Sequence, residues 1–496
     1  MRWLTVLLAL LAAAPAAAEI TVASKLFTEN VVLGEMARIA IAEETDEDVV
    51  HRRELGGTRI LFDALEAGEI DVYPEYTGTL RFEVLAADNL QSDEEIAAAL
   101  ARRGLRITPP LGFSNTYAIA VTRATAERLN LRTTSDLAAH PDIRFGLSNE
   151  FVDRADGWQA LKAAYDLPQT DVQGMFHDLG YRALVAGQID AMDAYTTDPQ
   201  IAEYDLVLLE DDRQHFPVYD AVYVYRDDLP DSAAAALDRF AGTLDLSQVQ
   251  RLNARVQTGG ESESAVAAEV VGRVLGTDTA AAAATDEDGI AARIWQRTQE
   301  HLALVGLALG LAILIAIPLG IAAARLPRFG NAILAAVGIL QTIPSLALFV
   351  ILIPLLGIGF VPTISALFVY SLLPIVRNTH AGLTGIAPAL LDSADALGLT
   401  RWQRLLRIEL PLAAPTIMAG IKTAAVIAVG LATLGAIIGA GGYGQPILTG
   451  IRLASTPLIL EGAIPAAVLA LLMQALFDLA ERGITPRGLR LKQASR

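Results

Sequence analysis

The sequence predicts a soluble α/β part built as two similar lobes, followed by an all-α membrane part of about five spans. Three features predict this order: an uneven distribution of charge, an internal repeat in the acidic part, and long uncharged stretches after it. The 496 residues include 38 Lys+Arg and 56 Asp+Glu, but only 13 and 7 of these lie from Thr298 onward, which leaves 25 and 49 before it. An acidic part of net charge −24 therefore precedes an apolar part of net charge +6. This length allows about three units of roughly 100 to 200 residues each.

The composition excludes several kinds of function. Nucleic-acid binding requires clustered Lys and Arg, so the acidic part is not expected to bind nucleic acid. The chain has no cysteine, which excludes disulfides, thiolate metal sites and thiol nucleophiles. Its six histidines show no metal-ligand spacing, and no catalytic triad is recognised. We therefore expect this chain to bind neither a metal nor a cofactor.

Residues 1–18 have the composition of a secretory signal peptide. Arg2 is followed by an apolar run from Leu4 to Ala14 and by small residues that end at Ala18. The run is shorter than the ~20 residues that a spanning helix requires, although a short anchor helix is the alternative. Cleavage after Ala18 is expected, and it places the acidic part outside the cytoplasm.

An internal repeat divides the acidic part. Residues 64–71 read Ala-Leu-Glu-Ala-Gly-Glu-Ile-Asp and recur at 183–190 as Ala-Leu-Val-Ala-Gly-Gln-Ile-Asp, and Tyr76 or Tyr195 follows each copy. Each copy predicts a helix closed by glycine, a short strand, and a turn that presents the tyrosine at the carboxyl end of the strand. Ligands bind at this end of the strands in α/β sheets.

Two further β-rich segments predict how the lobes are connected. Residues 117–123 and 219–226 each begin with tyrosine and each follow one copy of the repeat. We interpret them as two strands that cross between the lobes and form a hinge. The resulting binding domain covers residues 19–276, with lobe one at 19–119 and 223–276 and lobe two at 120–222. Four tyrosines are expected to face the cleft: Tyr76, Tyr117, Tyr195 and Tyr219.

Tyrosines at related positions of two lobes indicate a site for a cation. A single tyrosine is more often a packing residue with a wet hydroxyl, but that does not explain four at pseudo-symmetric positions. Aromatic faces around one small volume attract a cation that cannot hydrogen-bond, as in cages for quaternary ammonium groups. At about 0.5 to 2 kcal/mol per ring, four rings supply a large share of the roughly 8 kcal/mol that micromolar binding requires.

Six blocks of the acidic part carry a family resemblance. They are Ser24 to Asn30, Gly56 to Thr58, Tyr73 to Thr79, Asn115 to Ala118, Asp193 to Asp198, and Phe216 to Tyr219. Together they resemble the substrate-binding proteins of osmoprotectant importers for glycine betaine, choline and carnitine. The resemblance covers nearly all of residues 20–276 and implies a periplasmic-binding-protein fold.

The resemblance also implies roles for individual residues. The four tyrosines match the ammonium cage of that family, and Asn115 matches a polar cage position that varies within it. Lys25, Thr79 and Arg154 match or best fit the residues that hold a betaine carboxylate. Lys25 and Arg154 could each contribute about 1.5 to 3 kcal/mol of charge-assisted hydrogen bonding. Glycine betaine, proline betaine, carnitine, choline and ergothioneine all remain open as ligands.

The apolar part predicts a membrane domain over residues 298–490, after a linker at 277–297. Stretches long enough for five spans lie at 302–324, 329–376, 411–439 and 457–480. The first two are uncharged, and the second holds two spans around a turn at 357–359. Prolines inside these spans predict broken helices around an internal pathway. They are Pro318, Pro344, Pro354, Pro374 and Pro465.

The positive charges of the membrane part predict its orientation. If the first part lies outside, the segments on the inside carry almost every Lys and Arg between the spans and in the tail, and the outer turns carry only Arg452. This agrees with the signal peptide. The chain is therefore expected in the inner membrane, with its N-terminal domain on the extracytoplasmic side.

A predicted cytoplasmic loop at residues 386–410 resembles the EAA loop of ABC importer permeases, whose short helices dock onto an ATPase. Asp392 lies in the matching segment, Asp395 stands where the loop often has Glu, and Gly398 matches its glycine. The stretch from about 298 to 490 resembles the permease subunit of the same importers. The resemblance implies a separate ABC ATPase as partner and a homodimer of the permease.

No segment of the sequence predicts ATP hydrolysis by this chain. A P-loop requires Gly-Lys-Ser/Thr, and none of the four lysines follows glycine. Residues 439–444 match G-x-G-x-x-G, but they follow a predicted span and lack a βαβ context, so we interpret them as a loop. The chain is therefore expected not to be an enzyme.

The combined prediction is the binding and translocation subunit of an ABC importer for quaternary ammonium compounds such as glycine betaine. A ligand-gated channel with a two-lobed binding domain is an alternative, but it does not need an ATPase-docking loop. A sensor is another alternative, although the tail after Ala480 is too short for an enzymatic output domain.

Overall fold

The computed structural model describes residues 19–277, 279, 289–453 and 455–484. The predicted signal peptide at 1–18 and the charged tail after residue 484 lie outside the described residues. The chain divides into two compact units, Met1–Glu287 and Asp288–Arg496. The predicted fold class is confirmed, because a two-sheet α/β unit comes first and a helical unit follows.

The described part of the first unit contains two five-stranded sheets, with orders β2-β1-β3-β10-β4 and β7-β6-β8-β5-β9. The strands are β1 (Glu19–Ala23), β2 (Asp48–Arg52), β3 (Val72–Tyr76), β4 (Leu105–Ile107), β5 (Tyr117–Thr122), β6 (Phe145–Ser148), β7 (Val172–Met175), β8 (Ala191–Tyr195), β9 (Leu206–Leu209) and β10 (Ala221–Arg226). In each sheet four strands run in the same direction, and the remaining strand, β10 or β5, runs antiparallel to both of its neighbours. The two lobes therefore share one topology.

Helices connect these strands. The α-helices of this unit are Thr28–Glu44, Thr58–Glu66, Thr77–Thr79, Asp93–Ala101, Arg123–Leu129, Asn149–Asp153, Trp158–Tyr165, His177–Val185, Gln200–Glu203, Asp231–Asp238, Leu246–Gln257 and Glu263–Leu275. Helical turns of other types are Leu80–Val84, Ala86–Asp88 and Thr134–Ala139. The helix Thr28–Glu44 is buried on nearly all sides, as expected of a helix in the core of its lobe.

Both copies of the repeat fold as predicted. The helix Thr58–Glu66 leads through Gly68 into β3, and the helix His177–Val185 leads through Gly187 into β8. These glycines have φ of +73° and +70°. Only glycine adopts such a conformation without strain, which explains why each copy has glycine at this point.

The lobes are joined at a different point from the predicted one. β5 lies within the second sheet and β10 within the first, so neither strand itself crosses between the lobes. The crossing segments precede these strands and pair through an isolated antiparallel bridge between Ser114 and Asp220. Residues 117–119, predicted for lobe one, therefore belong to the second sheet, and residues 221–222 belong to the first. A β-rich segment predicts a strand but does not reveal which sheet it joins.

The described residues of the second unit form helices joined by short turns and loops, and no strand is found among them. Its α-helices are Ile290–Arg325, Pro327–Thr342, Ser345–Leu356, Phe360–Thr384, Pro388–Ala396, Arg401–Arg404, Leu410–Ala432, Gly444–Arg452 and Thr456–Ile484. A π-helical turn, Leu405–Glu409, and a 3₁₀ turn, Thr433–Ile438, continue two of them. The first helix begins inside the predicted linker at 277–297. Of the residues 439–444 predicted to form a loop, 439–443 do so, with positive φ at Gly439, Gly441 and Gly442, and Gly444 begins the next helix.

Four helices of the described part are long and apolar enough to cross a membrane, or up to five if a bent pair forms one span. The four are Ile290–Arg325, Phe360–Thr384, Arg401–Ile438 and Thr456–Ile484, and the bent pair is Arg328–Thr342 with Ser345–Leu356, at 95°. This range includes the predicted five. Positive φ at Gly357 and Gly359 forms the turn predicted after the bent pair.

Most of the predicted proline breaks are wrong. Pro344 lies at the bend, where Ile343 leaves the helical conformation. Four other prolines lie inside continuous helices: Pro318, Pro354, Pro374 and Pro465. A membrane helix tolerates proline because neighbouring groups and local adjustments satisfy the carbonyls that it leaves free.

Candidate ligand-binding site

The eight residues predicted for ligand binding line one cavity of the first unit, and all are buried. They are Lys25, Tyr76, Thr79, Asn115, Tyr117, Arg154, Tyr195 and Tyr219. Tyr76 ends β3 and Tyr195 ends β8, as the repeat predicted. Tyr117 begins β5, whose antiparallel direction places it directly opposite Tyr195. The cavity thus lies at the carboxyl ends of the parallel strands, where α/β folds bind ligands.

The aromatic rings of the cavity contact one another. The ring centroid of Tyr117 lies 5.1 Å from that of Tyr195 and 5.7 Å from that of Tyr219. Phe27 adds a fifth ring, 5.2 Å from Tyr195 and 6.2 Å from Tyr76. Phe27 also lines the cavity, but it was not predicted as a site residue, although it belongs to the first of the family blocks.

The cavity has a volume of about 20 Å³, which is room for about one water molecule. A second cavity of about 250 Å³ shares Glu150 and Arg154 with it. A trimethylammonium group needs more space than the inner cavity has, so the rings must separate to admit it. Because Tyr76 belongs to the first sheet and Tyr195 to the second, opening of the lobes would separate them.

Lys25 already has a carboxylate partner. Its Nζ lies 2.6 Å from Oε1 of Glu75, whose side chain is fully buried, and it donates to Oγ1 of Thr58 at 2.9 Å. The same nitrogen lies 5.5 Å from the ring centroid of Tyr76. Burial raises the pKa of Glu75, and the charge of Lys25 opposes this shift. Lys25 therefore faces both the ring and a carboxyl group of its own lobe.

Arg154 is paired in the same way. Its Nε and Nη2 donate to Oδ1 and Oδ2 of Asp156 at 2.7 and 2.6 Å, and its Nη1 lies 3.4 Å from Oγ1 of Thr79. Its guanidinium carbon lies 5.5 Å from the ring centroid of Tyr117. Tyr219 Oη donates to Oδ2 of Asp156 at 2.8 Å. Of the three residues predicted to hold a ligand carboxylate, the two cations, Lys25 and Arg154, are thus each paired with a carboxylate of the protein.

Glu150 is a site residue that sequence reasoning missed. It lines both cavities, lies 3.8 Å from Nη1 of Arg154, and accepts a hydrogen bond from Thr58 at 2.7 Å. Burial would raise its pKa, but the charges of Lys25 and Arg154 lower it. Thr58 belongs to the first lobe and Glu150 to the second, so this bond links the lobes. The sequence did contain one indication of this role, because Glu150 precedes the predicted site residue Arg154 by four residues, the spacing of an ion pair on a helix.

His177 lies behind one ring of the cavity. Its imidazole stacks on Tyr195 with a centroid distance of 4.3 Å, and Nε2 lies 2.8 Å from Oδ2 of Asp198. Asp193 lies 3.6 Å from Nδ1. Burial would lower the pKa of His177, but the two carboxylates raise it well above its ordinary value. One face of Tyr195 is therefore covered by the imidazole of His177.

Three buried residues near Lys25 are arranged like a hydrolytic triad, which the sequence did not reveal. Ser24 Oγ lies 2.9 Å from Nε2 of His51, whose Nδ1 lies 2.8 Å from Oε2 of Glu35. Ser24 is fully buried and lines neither cavity. A buried hydroxyl cannot reach a substrate, so we interpret this chain of hydrogen bonds as a structural link between strands and helix.

The residues predicted to couple to an ATPase lie on a short helical hairpin of the second unit. The helix Pro388–Ala396 carries Asp392 and Asp395, and Gly398 follows it with φ +73°. Asp395 accepts hydrogen bonds at 2.8 and 2.7 Å from Arg404 of the next helix. Asp392 is exposed. The hairpin also exposes large apolar side chains, since Leu397 is 79% and Trp402 65% exposed.

A two-lobed α/β unit with a cavity lined by aromatic rings, followed in the same chain by helices of membrane length, defines a solute-binding protein fused to a membrane transport component. Comparison with known proteins supports this class. Residues 18–272 match the substrate-binding domain of ABC-type glycine betaine transport systems. Residues 316–488 match the inner-membrane component of binding-protein-dependent transport systems.

The membrane part is similar to individual permeases. It is 44% identical to the glycine betaine/carnitine/choline transport system permease protein OpuCB of Bacillus subtilis (strain 168). That alignment spans 200 residues, which are 40% of this chain and 92% of the permease. It is 43% identical to the osmoprotectant import permease protein OsmW of Salmonella typhimurium, over 198 residues that are 39% of this chain and 92% of the permease. A crystal structure of a glycine betaine/carnitine/choline ABC transporter aligns with 51% of this chain and 98% of its own, at 28% identity and TM-score 0.43.

The chain belongs to the glycine betaine family of ABC transport proteins, with the binding domain and the inner-membrane component in one polypeptide. It is a multi-pass protein of the inner membrane. This membership favours the predicted importer over the channel and the sensor considered as alternatives.

Proposed function

We propose that this chain binds a quaternary ammonium compound, such as glycine betaine, and passes it across the membrane. The observation that carries the proposal is the convergence of Tyr76, Tyr117, Tyr195 and Tyr219 on one cavity with two cations at its edge. Burial raises the pKa of all four phenols. The rings therefore stay neutral at physiological pH and can each offer a face to a permanent cation.

A ligand carboxylate would bind Lys25 and Arg154 in competition with carboxylates of the protein. Lys25 and Arg154 are paired with Glu75 and Asp156, so a betaine has to share or replace these carboxylates when it enters. Choline brings no carboxylate and leaves both pairs intact. Lys25, Thr79 and Arg154 together are therefore the part of the site that would separate betaines from choline.

The driving force comes from a separate ABC ATPase, which is the usual arrangement in this family of transport proteins. The chain has no P-loop lysine. Exposed Leu397 and Trp402 on the hairpin around Gly398 offer an apolar surface for such a partner, because exposed apolar patches commonly mark interaction sites. We further propose that two copies of the chain form the transporter and that both binding units lie on the extracytoplasmic side.

The substrate is tested by calorimetry on the full-length chain in detergent, with glycine betaine and choline as ligands. Tyr195→Ala is expected to weaken both ligands, whereas Arg154→Ala should weaken glycine betaine far more than choline. Tyr204→Ala serves as a matched control, because Tyr204 does not line the cavity. If the unmodified chain binds neither compound, or any other trimethylammonium compound, the proposed substrate class is wrong.

A further inference from the structure

A buried carboxyl group lies directly behind the cage. Glu29, in the first turn of the helix Thr28–Glu44, is 3% exposed. Its Oε1 accepts hydrogen bonds from Tyr76 Oη at 2.6 Å and from Asn115 Nδ2 at 3.0 Å. Its Oε2 accepts one from Asn253 Nδ2 at 3.3 Å. Tyr76 and Asn115 also line the cavity, so one side chain separates Glu29 from a ligand.

The partners of Glu29 are neutral, unlike those of the other acids near the site. Glu75 pairs with Lys25, Asp156 with Arg154, and Asp198 with His177. Among the described residues, by contrast, no Lys, Arg or His nitrogen lies within 4.0 Å of a carboxylate oxygen of Glu29. Glu29 is thus a buried acid beside the cage that the protein itself does not neutralise.

Such a group responds to charge that enters the cage. Burial of an unpaired carboxylate is unfavourable, so the acid tends to keep its proton. Burial raises the pKa of Glu29, although hydrogen bonds from Thr197, Tyr76 and Asn253 lower it. A quaternary ammonium group has no proton to lose and stays charged at every pH. Its arrival in a poorly solvated site favours the ionised form of the nearby acid.

We propose that Glu29 is the counter-charge of the bound ammonium group and makes the site select a cation over an uncharged molecule of the same shape. This inference rests on the proposed function. When the ligand enters, the O–H bond of Glu29 breaks, the proton passes to the buffer, and the carboxylate remains beside Tyr76. No bond forms between Glu29 and the ligand.

The groups that face Glu29 determine the direction of the pH dependence. They are Tyr76 from β3, Asn115 from the crossing segment, Thr197 and Asp198 after β8, and Asn253 from the helix Leu246–Gln257. Asp198 raises the pKa of Glu29, and its own charge is matched by His177. Affinity for the cation should therefore increase as pH rises through the raised pKa of Glu29, because less work is then needed to remove the proton.

Choline is the probe of choice, because it has no carboxylate that could exchange protons with Lys25 or Arg154. Its binding to the full-length chain is measured by calorimetry at one pH in phosphate and in Tris, whose heats of ionisation differ. A difference in binding heat that corresponds to proton release, at most one proton per ligand, is expected. The uncharged analogue 3,3-dimethyl-1-butanol should bind more weakly and without proton release.

Glu29→Gln keeps an oxygen that can accept from Tyr76 but cannot ionise. It should abolish proton release and the pH dependence, and reduce the preference for choline over the alcohol by about tenfold, the effect of one charge at moderate distance. Asp63→Asn is the matched control. The pKa of Asp63 is also raised by burial, but Asp63 lines neither cavity, so proton release should persist.

Three outcomes would overturn the inference. Choline could bind the unmodified chain without proton release, a result that needs no variant and does not depend on the folding of Glu29→Gln. Proton release could persist in Glu29→Gln, which assigns it to another group such as Glu75. The uncharged alcohol could bind as tightly as choline. If no trimethylammonium compound binds at all, the proposed function fails and the inference fails with it.

Discussion

The residues around the cavity satisfy one another in this closed arrangement. Tyr117 packs on Tyr195 and Tyr219, while Arg154 stands over its ring and is held by Asp156. In the proposed site, a ligand cation that reached the ring of Tyr117 would replace this contact with the guanidinium of Arg154. Binding energy is the difference between the two sets of contacts, so it should be smaller than the sum over rings.

Phe27 permits a test of the cage that leaves the phenols untouched. Replacing Phe27 by leucine removes one ring face but keeps apolar bulk, and should cost about 0.5 to 2 kcal/mol of binding, a roughly 2- to 30-fold weaker affinity. Calorimetric titration with glycine betaine and with choline measures the change, which should be alike for both ligands.

Phe82→Leu is the matched control, because Phe82 is 38% exposed and does not line the cavity. Its affinity should equal that of the unmodified chain. An unchanged affinity in Phe27→Leu, with an unchanged melting temperature, would remove Phe27 from the cage.

The sequence predicted cavity residues better than it predicted their partners. The repeat located Tyr76 and Tyr195, and the two β-rich segments located Tyr117 and Tyr219. The family blocks supplied Lys25, Thr79 and Asn115, whereas Arg154 was a best candidate from outside those blocks. The pairing of Lys25 with Glu75 could not be predicted, because it depends on which side of β3 faces the cavity. Glu150 was missed because a single acidic residue on a short helix has many ordinary explanations.

At the scale of elements, the same helix, glycine and strand recur in both lobes. Gly68 and Gly187 have φ of +73° and +70°. A Cβ at Gly187 meets nothing within 4 Å, whereas one at Gly68 lies 2.5 Å from Nη1 of Arg226. That nitrogen is the end of a flexible side chain and can move. The backbone conformation is therefore the common constraint at the two sites.

Gly68→Ala and Gly187→Ala should destabilise the protein to a similar extent, by about 1 to 2 kcal/mol each, the usual cost of a left-handed conformation for a residue with Cβ. Urea unfolding of the full-length chain in detergent, followed by circular dichroism, measures the difference. Gly289→Ala should have little effect, since Gly289 has φ −55° and open space around it. A much larger loss in Gly68→Ala would show that Arg226 is held rigidly.

The elements that the sequence misplaced are those whose position depends on partners. The sequence predicted β5 and β10 as strands but did not predict which sheet each strand joins. The chain crosses between the lobes before these strands, at the bridge between Ser114 and Asp220. Likewise, the prolines of the membrane helices were expected to break them, whereas most lie in continuous helices. Propensity describes a segment alone, while neighbouring segments determine whether proline bends a helix.

At the scale of the whole molecule, fusion sets the ratio of the two components. Each permease carries its own binding unit, so the local concentration of binding unit does not depend on expression of a second protein. If two chains form one transporter, it carries two binding units. Binding and ATP-driven uptake are then properties of one chain that can be separated by substitutions in different units.

The substitution Leu397→Asp should abolish ATP-driven uptake without affecting ligand binding. Leu397 is 79% exposed beside Gly398 on the hairpin predicted to contact the ATPase, and a carboxylate there would have to be desolvated in an apolar interface. Uptake of labelled glycine betaine by proteoliposomes that contain the chain, its ATPase and ATP should fall to the level without ATP. The affinity of Leu397→Asp for glycine betaine should stay unchanged, whereas Tyr195→Ala should weaken both affinity and uptake.

The control is Leu246→Asp, at a 41% exposed leucine of the binding unit, which should leave both affinity and uptake unchanged. Full uptake by Leu397→Asp would show that the ATPase contacts another surface. Uptake by the unmodified chain without ATP would support the ligand-gated channel instead of the importer.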